Sequence, residues 1–379
     1  MSCSLCRLPF VTHPTFVSPK SPPRGIVSER QERYMQYGVV MGNLVPGGCF
    51  PVIWAGDNHF INAPAIPVMT TVVWETGKLA DTEPGTVIAL HTACADILRH
   101  ALGASDYSVE SMVKLSMIDA VLGRPHPGPD AGRLRQVKYE DVGEKVDVRP
   151  YWVEGKSKGN ATFEYSAFKA SGLDWTLNRP DTFPMFYEKV KPARAAAREP
   201  SPASVASITK LFASEPVAVL RHLLSHLSDR SFYALLSTCR LLRKHGLTTF
   251  QPEARARVLA LEWAVPLETE YAAACRMAGN AKDGGPGSVR MAHAVNAPVD
   301  GDWMLYLSQV HRTPNMRARR WLWALAREVR RAFDEAVPKS ALADVVDAKG
   351  TRVPSEEMKK LKERVETLMI MTLIANGKM

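Results

Sequence analysis

The sequence lacks a long hydrophobic run: its longest apolar stretch, residues 368–375, is far shorter than the roughly 18 residues of a membrane-spanning helix. Residues 1–14 also lack the apolar core of a secretory signal peptide. Six cysteines in 379 residues are too few for a disulfide framework. We therefore expect a cytoplasmic or nuclear protein with no membrane partner. In such a compartment, closely spaced cysteine and histidine residues are first considered as metal ligands.

The sequence also lacks the short motifs of several common enzyme classes. It contains no GxxxxGK[ST] phosphate loop, no GxGxxG dinucleotide turn, no GxSxG nucleophile elbow and no HExxH helix. The glycine-rich residues 284–287 are not followed by lysine and serine or threonine, so they are interpreted as a flexible break. No catalytic residue is predicted, and we expect that the protein is not an enzyme.

The chain is long enough for two or three domains with hydrophobic cores, because 46% of its 379 residues are hydrophobic. Its formal net charge is +9 and its sequence pI is about 9.2. A bias of this size favours acidic partners and solubility but does not by itself indicate binding to nucleic acid. Nucleic acid is therefore not an expected partner.

Composition changes along the chain and predicts an α+β protein, with an irregular N-terminal α/β region followed by a mainly helical half. Apolar and β-branched runs predict strands at 67–74 and 85–90, and helical spacing predicts helices at 91–102 and 108–122. The predicted segments are an N-terminal Cys/His region (1–104), a mixed aromatic-rich region (105–190), a Pro/Ala linker (191–213), a leucine-rich helical segment (214–262), a helical region with a basic helix (263–340) and a C-terminal helix (341–379).

Two short cysteine-containing motifs predict a split metal site. One is Cys3-Ser-Leu-Cys6 and the other is His91-Thr-Ala-Cys94, at the predicted start of a helix. A Cys-x-x-Cys turn directs both sulfurs to one side, and residues i and i+3 of a helix lie on one face. Together they predict a treble-clef-like, tetrahedral site with three cysteines and one histidine that holds a structural zinc ion.

The distance between the two motifs in the sequence leaves an alternative open. Because 84 residues separate Cys6 from His91, the intervening strands would have to be an insertion into the zinc fold. Under the alternative, the N-terminal cysteines form a frayed pair and Cys94 is a buried residue of an unrelated helix. His13 or Cys49 is a further candidate to replace one of the four ligands.

A leucine-rich stretch in the second half predicts short helices with tight connections. Residues 220–227 carry leucine at i, i+3, i+4 and i+7, which is one apolar helix face. Ser228 is a candidate N-cap for a second helix, in which Phe232, Leu236 and Cys239 continue the apolar face. Gly246 is a candidate C-terminal cap of that helix, and a third helix begins at Glu253. Periodicity alone indicates no more than a helical hairpin core.

The identity of these residues goes further, since Pro216, the leucine stripe, Leu227-Ser-Asp and the run 237–243 (STCRLLR) together resemble an F-box. The resemblance covers residues 214–255, about a tenth of the chain. The usual Leu-Pro opening is absent, because Glu215 precedes the proline. More loosely, most of the chain resembles a group of uncharacterised F-box proteins of filamentous and mushroom-forming fungi.

The resemblance implies a docking role without catalysis. F-box proteins bind the adaptor subunit of an SCF-type cullin–RING ubiquitin ligase and present a protein substrate, whose identity is unknown for this chain. A large exposed apolar patch usually marks such an interface. The residues that the resemblance assigns to adaptor binding and the neighbouring core are Pro216, Val219, Leu220, Leu223, Leu224, Leu227, Phe232, Leu235 and Leu236.

The composition of residues 312–331 suggests an alternative function for the protein. Seven arginines lie within twenty residues there, interleaved with Trp321 and Trp323. A basic helix with aromatic residues can bind phosphates, which would make the chain a zinc-containing, nucleic-acid-associated protein. The favoured interpretation is an amphipathic helix that packs its tryptophans and extends its arginines into water. A third alternative is a structural interaction protein whose F-box-like helices are simply core.

Overall fold

The computed structural model of the protein describes residues 2–10, 22–43, 51–57, 87–104, 109–123, 133–154, 161–178, 217–267, 303–340, 343–347 and 350–375. These residues form a mixed α and β structure that is mainly helical with few, short strands, which agrees with the predicted α+β class. Residues 67–74 and the linker 191–213 lie outside the described residues. Among the described helices, none is both long and apolar enough to cross a bilayer.

The elements are numbered in chain order. The helices are α1 (Glu29–Gln36), α2 (Thr92–Ala101), α3 (Val109–Leu122), α4 (Tyr165–Ala170), α5 (Val217–Ser225), α6 (Asp229–Ser237), α7 (Arg240–Thr248), α8 (Gln251–Ala260), α9 (Trp303–Val310), α10 (Pro314–Ala336) and α11 (Glu356–Ala375). The strands are β1 (Tyr37–Asn43), β2 (Pro51–Asp57), β3 (Val87–His91), β4 (Trp152–Glu154), β5 (Ala161–Phe163), β6 (Val345–Val346) and β7 (Arg352–Val353).

The chain divides into two compact units. Unit 1 consists of Met1–Arg179 and Arg320–Met379, and unit 2 consists of Pro180–Arg319. Helix α10 therefore contributes its first residues to unit 2 and the remainder to unit 1. The finer division into six segments that composition suggests stays a prediction.

Unit 1 contains a three-stranded antiparallel sheet in the order β2-β1-β3. Helix α1 leads directly into β1, and β3 leads directly into α2, so that Gly38 of β1 pairs with His91 at the end of β3. The predicted strand 85–90 and helix 91–102 are confirmed, with bounds shifted by one or two residues. On α2, Ile97, Leu98 and Ala101 are buried, as their helical spacing predicts, whereas Ala93 of the same predicted set is half-buried.

The remaining core of unit 1 comes from helices far apart in sequence. Helix α11 packs against α3, and α3 packs against β1. From Arg320 onward, α10 buries Trp321, Leu322, Leu325 and Val329. The basic segment therefore presents its apolar face to a core, as the favoured amphipathic interpretation expects.

Gly143 meets α10 at a place where a side chain has no room. Its φ of +61° lies in the left-handed region, and a Cβ atom there would stand 3.2 Å from Ala324 Cβ. We expect Gly143→Ala to destabilise the protein by about 2–3 kcal/mol, since the strain of the left-handed backbone adds to the steric overlap. Urea unfolding measures the effect. Gly172→Ala is the matched control, because Gly172 has a φ of +75° and nothing within 4 Å, so that only the backbone strain applies.

Unit 2 is a cluster of short helices around one apolar core. Helix α8 packs against α9, α5 and α7, and α7 packs against α6. The phenol of Tyr306 donates a hydrogen bond to the Ala264 carbonyl at 2.5 Å, which joins α9 to the turn after α8. The buried side chains of this core include Leu220, Leu224, Phe232, Leu236, Leu242, Phe250, Val258, Trp303, Tyr306, Leu307, Val310 and Met316.

Two details of unit 2 correct the sequence prediction. The second predicted helix is two helices, because α6 ends at Ser237 and α7 begins at Arg240. Cys239, which was placed on the apolar face within that helix, is instead the N-cap of α7. Its extended backbone (φ −144°, ψ 162°) is not helical, and its Sγ accepts a hydrogen bond from the Leu242 amide at 3.5 Å.

The second correction concerns Gly246. It lies inside α7 and does not cap a helix end. A Cβ atom at this position would stand 3.3 Å from Leu236 Cδ1 and 3.6 Å from the terminal methyl of Met304. The glycine therefore allows α7 to approach its neighbours closely, a role that periodicity does not indicate.

Candidate metal centre

Cys3, Cys6, His91 and Cys94 lie together in unit 1. One ligand atom from each residue lies within 4.8 Å of the ligand atoms of the other three, and all four side chains are 0–1% exposed. Three thiols and one imidazole form a donor set that can hold a metal ion. The structure therefore brings together all four residues of the predicted site, across the 84 residues that separate the two motifs. This geometry excludes the alternative of a frayed cysteine pair.

The first two ligands come from a tight N-terminal turn. The Cys3 amide donates to the Leu8 carbonyl at 2.9 Å, the Arg7 amide donates to the Cys3 carbonyl at 2.8 Å, and Ser2 forms an isolated antiparallel bridge with Pro9. This turn places Arg7 in the left-handed region, with φ of +63°. The turn brings the two sulfurs to one side, as the Cys-x-x-Cys spacing predicts.

Side chains of other elements hold this turn in place. The Tyr139 phenol donates to the Ser4 carbonyl at 2.6 Å, and the Trp152 indole donates to the Arg7 carbonyl at 3.1 Å. Burial raises the pKa of Tyr139 to about 12, so this phenol stays protonated and remains a donor at neutral pH. The N-terminal turn is thus fixed by residues more than a hundred positions further along the chain.

His91 and Cys94 come from the junction of β3 and α2. His91 is the N-cap of α2 with extended backbone (φ −60°, ψ 147°), and Cys94 is the third residue of the helix. The positive end of the helix dipole favours a thiolate at this position. The His91 amide also donates to Cys3 Sγ at 3.5 Å, so the backbone of the junction contacts the first motif directly.

One ring nitrogen of His91 is hydrogen-bonded to the backbone, and the other faces a cysteine sulfur. Its Nε2 lies 3.1 Å from the Pro9 carbonyl oxygen, which can only accept, so Nε2 carries the proton of this hydrogen bond. Its Nδ1 lies 3.4 Å from Cys6 Sγ. Such a second hydrogen bond orients a metal-ligating histidine and fixes its tautomer, here with Nδ1 as the ligand atom.

The three buried thiols have only the imidazole of His91 to balance the negative charge of a thiolate. Burial opposes ionisation of Cys6, but hydrogen bonds from Cys3 and Cys94 and the charge of His91 hold its pKa well below the usual value. Burial lowers the pKa of His91, whereas the sulfurs of Cys3 and Cys6 raise it to about 9. Burial, together with Cys3 and Cys6, raises the pKa of Cys94. A divalent cation among them would let all three thiols ionise.

Two aromatic residues contact the site although the sequence did not predict these contacts. The Tyr34 hydroxyl lies 2.9 Å from Cys94 Sγ, and its ring centroid lies 4.8 Å from that of His91. The ring of Phe10 also packs against the imidazole of His91, with ring centroids 4.5 Å apart. Phe10 follows the Cys-x-x-Cys turn closely, but no sequence signal points to Tyr34. The alternative ligands His13 and Cys49 lie outside the described residues.

The predicted adaptor-binding residues divide into two groups in unit 2. Leu220, Leu224, Phe232 and Leu236 are buried in the core, and Leu227 and Leu235 are partly buried against it. Val219 and Leu223 of α5, by contrast, are 52% and 43% exposed. Pro216 lies outside the described residues. The exposed apolar face of α5 is therefore carried by Val219 and Leu223, one helical turn apart.

Several arginines of the basic segment form hydrogen bonds or ion pairs within their own unit. In unit 2, the guanidinium of Arg319 is buried and donates to the carbonyls of Trp263 and Val265. In unit 1, Arg320 pairs with Glu144 at 2.7 Å and Arg331 pairs with Glu328 and Glu335. Trp321 and Trp323 are 2% and 4% exposed, so neither offers a ring face for base stacking.

Comparison with known proteins adds no relative: no family model, no curated protein and no solved structure matches the chain.

Proposed function

We propose that Cys3, Cys6, His91 and Cys94 bind one zinc ion with a structural role. Three thiolates and one imidazole are a preferred donor set of zinc, and four protein ligands leave no position for a reactive water. Tetrahedral zinc at about 2.3 Å from sulfur separates its ligand atoms by about 3.7 Å. The four ligand atoms, all within 4.8 Å of one another, need to close by only about 1 Å.

We further propose that the protein is a non-catalytic docking protein of the F-box type, acting in the cytoplasm or nucleus. It would bind the adaptor subunit of an SCF-type cullin–RING ubiquitin ligase and present a protein substrate. The observation that carries this proposal is the exposed apolar face of α5, formed by Val219 and Leu223 above a core that contains Leu220 and Leu224. Exposed aliphatic side chains grouped on one helix face favour a protein partner.

The alternative of a nucleic-acid-associated protein has no specific observation in its favour. Its predicted binding segment buries both tryptophans and pairs many of its arginines within the protein. The third alternative, an interaction protein whose F-box-like helices are only core, differs from the docking proposal in what Val219 and Leu223 contact. The adaptor-binding experiment separates these two.

Capture of the adaptor tests the docking proposal directly. Purified wild-type chain is expected to retain the cullin adaptor subunit, and Val219→Asp/Leu223→Asp is expected to lose it, because two charges would enter an apolar interface. Both residues are exposed, so the variant should keep its melting temperature. Leu224 is unsuitable for this test, since it is 2% exposed and its substitution would disrupt the core.

The matched control is Val346→Asp, an exposed valine of unit 1 that is 66% exposed. It adds the same type of charge and should leave adaptor capture unchanged. A wild-type protein that retains no adaptor would refute the docking proposal, and so would a Val219→Asp/Leu223→Asp protein that binds as well as wild type.

A further inference from the structure

A pair of histidines lies at the C-terminal end of α5, His222 within the helix and His226 directly after its last residue, Ser225. Both side chains are exposed, and the His226 amide donates to the Leu223 carbonyl at 3.2 Å, which continues the chain from α5 into a turn. Their Nε2 atoms are 3.4 Å apart, and their ring centroids are 4.7 Å apart with an interplanar angle of 85°. His222 lies three positions after Val219 on α5, so these two side chains are neighbours on the helix.

From this geometry we infer that His222 and His226 form a second metal site, which binds a divalent transition-metal ion through both Nε2 atoms. Two nitrogens at about 2.05 Å from a tetrahedral ion stand about 3.3–3.4 Å apart. The observed separation of 3.4 Å therefore matches what such an ion requires. The His-x-x-x-His spacing is also the ligand spacing of the HExxH motif, here at a helix end and without the catalytic glutamate.

A change of tautomer in one ring frees both Nε2 lone pairs for the metal ion. A hydrogen bond between the two rings requires one Nε2 to carry the proton and the other to offer its lone pair. To release both lone pairs, the donating ring transfers that proton to its own Nδ1 through solvent, which is accessible because both rings are exposed. No proton is lost from the protein, and each ring remains neutral as a metal ligand requires.

The neighbouring charges of α5 are engaged elsewhere. The Arg221 guanidinium pairs with Glu253 at 2.9 Å, and Asp229 pairs with Arg257 at 2.6 Å and with His311 at 3.0 Å. Within the described residues, the only recorded ring-nitrogen partner of each imidazole is the other one. The remaining coordination positions of the ion would be filled by water or by a ligand from a bound protein. Two imidazoles favour nickel, copper and zinc over calcium and magnesium.

Titration with Ni²⁺ of full-length protein that carries one zinc per chain, without excess zinc, tests this site. Wild type is expected to bind one Ni²⁺ at this pair. Either His222→Ala or His226→Ala should lower the affinity for that ion at least about tenfold, since even the loss of an outer-shell partner costs 10–100-fold in metal affinity. The same ion should broaden the ring signals of His222 and His226 in the NMR spectrum. His245→Gln is the matched control, because His245 lies on α7 and its Nδ1 contacts the Thr249 hydroxyl at 3.0 Å.

The proposal is overturned if wild type and the two alanine variants bind Ni²⁺ equally, or if Mg²⁺ broadens the same signals as strongly. Both substitutions affect exposed side chains and should leave the fold intact, which the melting temperature verifies. The difference between wild type and the variants reports on this pair alone. It does so whether or not the cysteine centre holds zinc and whether or not the adaptor binds.

Discussion

Replacing Cys3 and Cys6 together with serine is expected to remove the bound zinc and to lower the melting temperature by at least about 10 °C. Serine hydroxyls do not ionise at neutral pH and cannot replace thiolates. The N-terminal turn would then keep its hydrogen bonds from Tyr139 and Trp152 but lose its link to His91 and Cys94. Free energies of zinc binding are large, so the loss of even about 4 kcal/mol would produce a shift of this size.

Metal analysis and calorimetry of the purified proteins check this expectation. Wild type should contain about one zinc per chain from this centre, and the double variant none. Cys239→Ser is the matched control, because Cys239 is a half-buried N-cap in unit 2 and should leave the zinc content unchanged. A double variant that melts with wild type would show that the four residues are packed together without a metal-dependent role.

Arg257→Met is expected to destabilise unit 2 by about 2–4 kcal/mol, because Arg257 joins two helix ends. Its guanidinium donates to Asp229 at 2.6 Å and to the carbonyls of Leu224 and Leu227 at 2.5 and 2.7 Å. It therefore satisfies one carbonyl in the last turn of α5 and one in the connection after it, and it also holds the first residue of α6. The same guanidinium lies 4.5 Å from the centroid of the Phe232 ring. Its removal leaves a partly buried carboxylate and backbone carbonyls without this donor.

Chemical denaturation of Arg257→Met and Arg221→Met makes the comparison. Arg221 also forms an ion pair, with Glu253, but its side chain is 48% exposed, whereas that of Arg257 is 14% exposed. Exposed pairs contribute about 0–1 kcal/mol, so Arg221→Met should change the stability little. Equal losses in the two variants would contradict the role assigned to Arg257 in the α5–α6 turn.

The sequence predicts those parts of the site that depend on local geometry. Cys-x-x-Cys specifies a turn that points two sulfurs one way, and His-x-x-Cys at a helix start specifies two ligands on one face. Closure over 84 residues is not local, because it depends on β3 pairing with β1 beside α1 and on Tyr139 and Trp152 reaching the turn. No spacing rule links Tyr34 to Cys94, so this contact could only be found in the structure.

The same distinction explains the differences in unit 2. Phe232, Leu236 and Cys239 keep a continuous helical period, so periodicity predicts one helix although the chain breaks at residues 238–239. The break depends on Cys239 adopting an extended, capping conformation, which its apolar character does not suggest. Arg257 lies on α8, about 30 residues after the carbonyls that it caps, so its role is also invisible in the sequence.

X-ray absorption at the zinc edge of purified protein carrying one zinc per chain tests the central claim, that two distant motifs form one structural zinc centre. The account predicts a shell of three sulfurs at about 2.3 Å and one nitrogen at about 2.0 Å, with no water ligand. A shell made only of nitrogen and oxygen, or a folded protein that takes up no zinc, would contradict it.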